Sequence, residues 1–149
     1  MAMTHVPPDF KEFLRLLNAH RVEYLLIGGY AVAYHGYPRA TADMDIWIAA
    51  NAENAEKVVA ALKEFGFDEP GLSAELFLKE GQMVRMGAPP VRTEIATTIS
   101  GVVFDECYME RVVDVLDGVE DNIISLPRLK ANKKAAGRHR DLNDLEHLP

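Results

Sequence analysis

Gly28-Gly29-Tyr30-Ala31-Val32-Ala33-Tyr34-His35-Gly36-Tyr37-Pro38-Arg39-Ala40-Thr41-Ala42-Asp43-Met44-Asp45-Ile46-Trp47-Ile48 is the stretch on which the reading of this chain turns. It begins where the apolar run Tyr24-Leu25-Leu26-Ile27 stops at two glycines, and it ends in a second apolar run that carries two aspartates. Side chains alternate faces along a strand, so Asp43, Asp45 and Trp47 share one face. Met44, Ile46 and Ile48 then point to a core. Two carboxylates side by side repel each other unless a positive charge lies between them. Mg²⁺ suits that place, because it is commonly held by one or two carboxylates plus substrate phosphates. Gly28 and Gly29 supply the complement, a backbone that phosphates can approach closely and a helix start with unpaired N–H groups. The same residues also describe an ordinary strand-to-helix turn beside a solvated sheet edge.

Upstream, Pro7-Pro8-Asp9 precedes Phe10, Phe13, Leu14, Leu16 and Leu17. That spacing predicts an amphipathic helix with prolines at its start. A strand is expected at about Glu23 to Ile27, then a short helix from Gly29 to His35 stopped by Gly36-Tyr37-Pro38. Downstream of the Asp43–Ala49 strand, Asn51-Ala52-Glu53 reads as a helix cap. Val58, Val59, Ala61, Leu62 and Phe65 form a helical stripe closed by Gly66. Leu72 to Leu78 is expected as a short helix, and Gln82 to Met86 and Val91 to Ala96 as strands around a Gly87-Ala88-Pro89-Pro90 turn. On the second of these strands Arg92, Glu94 and Ala96 share a face. Glu94 is therefore either a third carboxylate of the site or an exposed strand residue. Two further short strands flank Asp117-Gly118, a hairpin-type turn. Ser125-Leu126-Pro127 opens one helix, and Asp141 lies at the start of another.

In this order, Gly28-Gly29, His35-Gly36-Tyr37-Pro38-Arg39-Ala40-Thr41 and Asp43-x-Asp45 resemble the signature of the polymerase-beta-like nucleotidyltransferase superfamily. The likeness is to its small prokaryotic branch of minimal nucleotidyltransferases and abortive-infection toxin–antitoxin proteins, and it runs from about Leu25 to the C-terminus. It implies an α/β fold, α+β by strict naming: a mixed sheet with helices packed mainly on one side. It implies that Glu94 completes a metal site with Asp43 and Asp45, although the matching residue is usually aspartate followed by Leu-Leu-Thr. Here Ile95-Ala96-Thr97 follow. It implies nucleotide contacts from Gly28, Gly29, Arg39 and Thr41, and a closing segment from which Lys133, Arg138 and Asp141 reach back to the nucleotide. Read from the residues, Arg39 is either a phosphate contact or an exposed loop arginine, and the closing segment is either site or solvated helix pair.

A chain of 149 residues with 48% hydrophobic and 26% charged residues fits one domain, 1–149, with a sizeable core. No apolar run approaches the roughly 20 residues of a membrane-spanning helix. Met1 to Pro8 holds no apolar signal-peptide core, and the single cysteine, Cys107, excludes an internal disulfide. A cytoplasmic protein is expected. The net charge of −7 argues against a broad nucleic-acid surface, so an RNA acceptor is disfavoured. Yet the segment from Arg128 to Arg140 holds six basic residues and no acidic one, which points to a specific anionic ligand.

The function expected is nucleotidyl transfer from a nucleoside triphosphate to an acceptor hydroxyl. Asp43 and Asp45 hold Mg²⁺ or Mn²⁺, Glu94 shares the metal and takes the hydroxyl proton, and Lys133 or Arg138 adds positive charge. The alternative is a binding partner in a toxin–antitoxin or phage-defence pair, docking through aromatics such as Trp47 and Tyr37.

Overall fold

The computed structural model describes residues 6–88 and 91–149. Pro89-Pro90 of the expected turn and Met1 to His5 lie outside the described residues. In chain order the elements are α1 (Pro8–Ala19), β1 (Tyr24–Ile27), α2 (Gly28–Tyr34), β2 (Asp43–Ile48), α3 (Ala52–Phe65), β3 (Met83–Ala88), β4 (Val91–Ala96), α4 (Phe104–Met109), β5 (Val112–Leu116), β6 (Val119–Ile123), α5 (Leu126–Ala136) and α6 (His139–His147). The expected helix at 72–78 is a single 3₁₀ turn, Ala74–Phe77, anchored by the buried Phe77.

The strands form one mixed sheet in the order β3-β4-β2-β1-β6-β5. β2 runs antiparallel to β1 and parallel to β4, and β1 runs parallel to β6. β1 lies between β2 and β6, and all four of its side chains are buried, as a strand covered on both faces requires. On β2 the alternation holds: Met44, Ile46 and Ile48 are buried, while Asp43 and Asp45 on the other face are half-buried.

Local chemistry explains the helices that cover the core face. α1 starts at a proline and buries Phe10, Phe13, Leu14 and Leu17, one stripe of a 3.6-residue period. Phe10 meets Tyr30 of α2 edge-on at 6.0 Å, and Phe13 meets Phe65 of α3 at 5.4 Å. The Asn51 side chain caps α3 by accepting from the Asn54 N–H at 2.9 Å, and Gly66 closes it in a left-handed conformation. Asn54 is buried because its amide ties the helix to both strand ends, pairing with the N–H and C=O of Glu23 and the C=O of Ala49. Asp117 and Gly118 both have positive φ, the backbone that a two-residue hairpin between β5 and β6 demands. Among the described residues no helix is long and apolar enough to cross a membrane.

Trp47 lies on the carboxylate face of β2, yet it is buried. Its indole packs edge-on against Phe104 at 5.1 Å and donates to the Thr97 carbonyl at 3.2 Å. Tyr37 is half-buried and stacks on His147 at 4.3 Å. Both aromatics are engaged within the chain, and Trp47 is packed under a loop and not offered for docking as the binding-partner alternative would need. The loop after β4 and α4 fold back over that end of the strand.

One buried group opposes the fold. Asp121 of β6 is buried, its Oδ2 has no hydrogen-bond partner among the described residues, and only the Tyr24 hydroxyl at 3.5 Å reaches Oδ1. Burial pushes its carboxyl up to about 7, while the Tyr24 hydrogen bond pulls the other way. The unfolded chain releases this proton near the ordinary value of 3.8. Between those two values the native state therefore binds more protons, so this group lowers stability as pH rises through the window. We expect Asp121→Asn to remove that decline and to melt above wild type at pH 8 in thermal unfolding followed from pH 4 to 8. An unchanged pH slope in the variant would mean that Asp121 is already solvated.

Candidate active site

Strand register builds the centre of the site. β1, β2 and β4 place Ile27, Asp45 and Glu94 on one rung, and β3 extends it with Arg85. The next rung pairs Asp43 with Arg92 and Gly87. Because β2 and β4 are parallel and in this register, the acidic face of one strand meets the Arg92/Glu94 face of the other. Asp43 and Arg92 form a two-pronged ion pair, Nε to Oδ1 at 3.1 Å and Nη2 to Oδ2 at 2.7 Å. Glu94 accepts from Arg85 Nε at 2.9 Å and is only 16% exposed, so it is not a solvated strand residue.

Asp45 is the exception. It is hydrogen-bonded to Glu94, and no basic side chain among the described residues pairs with it. Burial, that hydrogen bond and the charges of Glu94 and Asp43 hold its carboxyl well above the usual range, against the pull of Arg140. Two carboxylates held together in a half-buried place need a proton or a cation between them.

Gly28 makes room for this carboxylate. Its φ is +66°, and a Cβ there would stand 2.1 Å from Asp45 Oδ2. Gly29 serves Thr41 in the same way, since a Cβ would meet the Thr41 Cβ and Oγ1 at 2.6 Å. Thr41 in turn donates to the Asp43 carbonyl at 3.1 Å, which fixes the entry into β2. The glycine pair thus does a second job that the sequence does not display: it seats the strand that carries the aspartates.

The C-terminal helices form the opposite wall. Lys133 of α5 is buried between Asp141 at 3.1 Å and Asp144 at 3.0 Å, both in α6 and both buried. Asp144 also takes a two-pronged bond from Arg39, at 2.8 and 2.9 Å. Burial alone would raise both aspartates, but bonds from Arg138 and Lys133 to Asp141, and from Arg39 and Lys133 to Asp144, outweigh it and leave both carboxyls below the ordinary value. Arg138 is exposed and reaches Asp141 Oδ2 through Nε at 2.8 Å. The closing segment is therefore a buried ion network, not a solvated helix pair. Arg39 is a strut within it and not a free loop arginine.

Between the walls lies a cleft of about 620 Å³. Gly28, Gly29, Arg39, Thr41, Asp43, Asp45, Glu94, Lys133 and Arg138 all line it, but Asp141, expected to reach the nucleotide as well, does not; it is buried behind the wall and bonded to Lys133 and Arg138. Arg85, Arg140, Ser100 and Asn132 line it as well, with Asn132 Nδ2 bonded to the Ser100 carbonyl at 3.0 Å. His35 is not among the lining residues; its Nε2 meets the Ile124 carbonyl at 2.7 Å in a structural contact. Of the residues passed over, Arg92 had a signal, because alternation puts it on the face of Glu94. Arg140 had one in the basic segment.

A mixed sheet with an acidic rung facing a basic C-terminal wall defines the nucleotidyltransferase type. Residues 9–97 match the family described as aminoglycoside-2''-adenylyltransferase, more than half of the chain, and the chain belongs to that family within the nucleotidyltransferase superfamily. No curated protein sequence matches. Among solved structures, it is similar to a candidate nucleotidyltransferase from Thermotoga maritima, with TM-score 0.64, 17% identity and 95% of this chain against 93% of that one. It is also similar to an antigenic nucleotidyltransferase-like protein from Paracoccidioides brasiliensis, with TM-score 0.55, 18% identity and coverage of 92% and 72%. At these identities the likeness concerns the fold.

Whether a divalent ion suits this site is decided by the donors. Among the described residues no group of three or more His, Cys, Asp or Glu side chains is gathered to hold an ion, and Asp43 is engaged by Arg92. Mg²⁺ does not need such a cage, because it takes one or two carboxylates and completes its shell with phosphate and water. Asp45 and Glu94, hard oxygen donors in contact and with Asp45 lacking a basic partner, fit that requirement.

The seat of Asp45 is open to test through Gly28. Gly28→Ala adds a methyl where Asp45 lies and strains a left-handed backbone, so it should cost about 1–3 kcal/mol. Denaturant unfolding measures this. A variant as stable as wild type would show that the turn relaxes freely and does not hold the carboxylate.

Proposed function

We propose that this protein transfers a nucleoside monophosphate, with AMP from ATP as the favoured group, to an acceptor hydroxyl. The observation that carries the reading is the Asp45–Glu94 pair, in contact on one rung and facing a basic wall across the cleft. The family's description, adenylyl transfer to an aminoglycoside, supports both the adenylyl donor and a sugar hydroxyl as acceptor.

Each residue then has a task that follows from its place. Asp45 and Glu94 would hold the divalent ion, with Asp43 joining them if Arg92 turns aside. A bound Mg²⁺ offsets charge developing on the α-phosphate and the departing pyrophosphate. The backbone at Gly28 and Gly29 lines the cleft beside Asp45 and sets how closely phosphate approaches. The hydroxyl oxygen of the acceptor forms a bond to the α-phosphorus while the bond from that phosphorus to the bridging oxygen breaks. Pyrophosphate leaves with the electron pair, and the hydroxyl proton passes to the Glu94 carboxylate. Arg85, whose side chain is 65% exposed, is free to release Glu94 for that role. Such chemistry needs nucleoside triphosphate, and a cytoplasmic location is proposed together with it. The toxin–antitoxin reading keeps no support from Trp47, which is buried.

Labelled ATP with Mg²⁺, offered an aminoglycoside, tRNA or cell lysate, tests the proposal. Label should move to one acceptor, and Glu94→Gln should lower the rate by about 10²–10⁴ and also weaken metal-dependent ATP binding, because Glu94 both holds the ion and takes the proton. Asp45→Asn should weaken metal-dependent ATP binding itself. Wild type that neither binds ATP nor moves label would overturn the reading.

A further inference from the structure

Five basic side chains line the cleft: Arg39, Arg85, Lys133, Arg138 and Arg140. A triphosphate entering a site that already holds three carboxylates needs a cation whose charge and N–H groups are not already spent. Four of the five are engaged. Arg39 is bound by both oxygens of Asp144, and Lys133 is shared by Asp141 and Asp144. Arg138 is bonded to Asp141, and Arg85 to Glu94. Arg140 is exposed and has no hydrogen bond or ion pair among the described residues, yet its charge is felt at Asp45 across the cleft.

The backbone that carries Arg140 is nonetheless fixed. It is the second residue of α6, and the turn before it is pinned by Asp141, which accepts from the Arg138 N–H at 3.2 Å while also binding Lys133. The buried network thus uses its charges in holding the helix in place, and of the five cleft cations Arg140 is the one with no hydrogen bond or ion pair among the described residues. A guanidinium presents five N–H donors in a fork that matches phosphate oxygens two at a time.

We propose that Arg140 is the side chain that receives the polyphosphate of the incoming nucleotide, while Lys133, Asp141 and Asp144 act only to position it. This assignment rests on the nucleotidyltransferase reading above and names the phosphate-binding residue within it. Arg39, Lys133 and Arg138, the cations that the family likeness suggests for that task, are struts.

Calorimetric binding of inorganic tripolyphosphate, ATP and adenosine, each with Mg²⁺ present, tests this. Arg140→Gln should weaken tripolyphosphate and ATP about tenfold or more, the scale of one charge-assisted hydrogen-bonded contact. Adenosine affinity and the melting temperature should stay at wild-type values, because Arg140 makes no hydrogen bond or ion pair among the described residues. Arg140→Lys should recover part of the loss, as a point charge without the fork does. Lys134→Gln, the same charge change on an exposed residue of α5 outside the cleft, should leave all three ligands unaffected. Tripolyphosphate binding as tight in Arg140→Gln as in wild type would overturn the proposal. So would equal losses in Arg140→Gln and Lys134→Gln, which would reduce the effect to net charge. Wild type that binds neither tripolyphosphate nor ATP removes the nucleotide reading and Arg140 with it. Arg140-dependent tripolyphosphate binding without transfer of label would remove the transfer reading alone.

Discussion

The contact between Asp45 and Glu94 constrains everything around it. Like carboxylates on neighbouring strands repel, and this pair is partly withdrawn from water, where repulsion is least screened. The fold tolerates the pair because of what flanks it. Arg92 neutralises Asp43, Arg85 neutralises Glu94, and Gly28 leaves space for the Asp45 carboxylate. What none of them supplies is a partner for Asp45. The sheet core supplies the stability that this arrangement draws on: the Met44, Ile46 and Ile48 face of the same strand is wholly buried. A strand with one face in the core cannot slip by one residue without turning its aspartates inward, so the apolar face fixes where the acidic face points.

The second wall obeys a different rule. Lys133, Asp141 and Asp144 are buried charges, and buried charges persist only when paired and hydrogen-bonded. Arg39 and Arg138 complete that pairing from the edges of the network. Breaking such a set by removing one member leaves an uncompensated charge and costs about 3–5 kcal/mol. The network joins the loop before β2 to the helices at the end of the chain, a separation of more than a hundred residues between Arg39 and Asp144. The cleft exists because these distant segments are locked together.

The sequence carried a good part of this. Alternation through Asp43-Met44-Asp45-Ile46 is a local pattern, and it located the acidic face and the core face correctly. The Asn51 cap, the Gly66 stop, the Asp117-Gly118 turn and the Ser125-Leu126-Pro127 helix start were legible for the same reason: each depends on residues within one turn. What was not legible depends on register and burial. Arg92 meets Asp43 only because β2 and β4 pair in parallel at that offset. Trp47 shares a face with the aspartates but is covered by Phe104, which lies far along the chain. Lys133 and Arg39 read as ligand contacts because a basic residue in sequence gives no sign that a buried carboxylate already holds it. Asp121 reads as an ordinary polar strand residue, and only packing against Tyr24 shows it stranded without a partner for Oδ2.

On the proposed reading, Asp45 and Glu94 stand together to receive a cation from outside the chain. Crystals soaked in Mn²⁺ with a non-hydrolysable ATP analogue, examined by anomalous scattering, test it most directly. A metal peak is expected at bonding distance from both carboxylates, with the two oxygens drawn apart by the ion between them. Mn²⁺ bound elsewhere, or absent at saturation with Asp45 still hydrogen-bonded to Glu94, would contradict it.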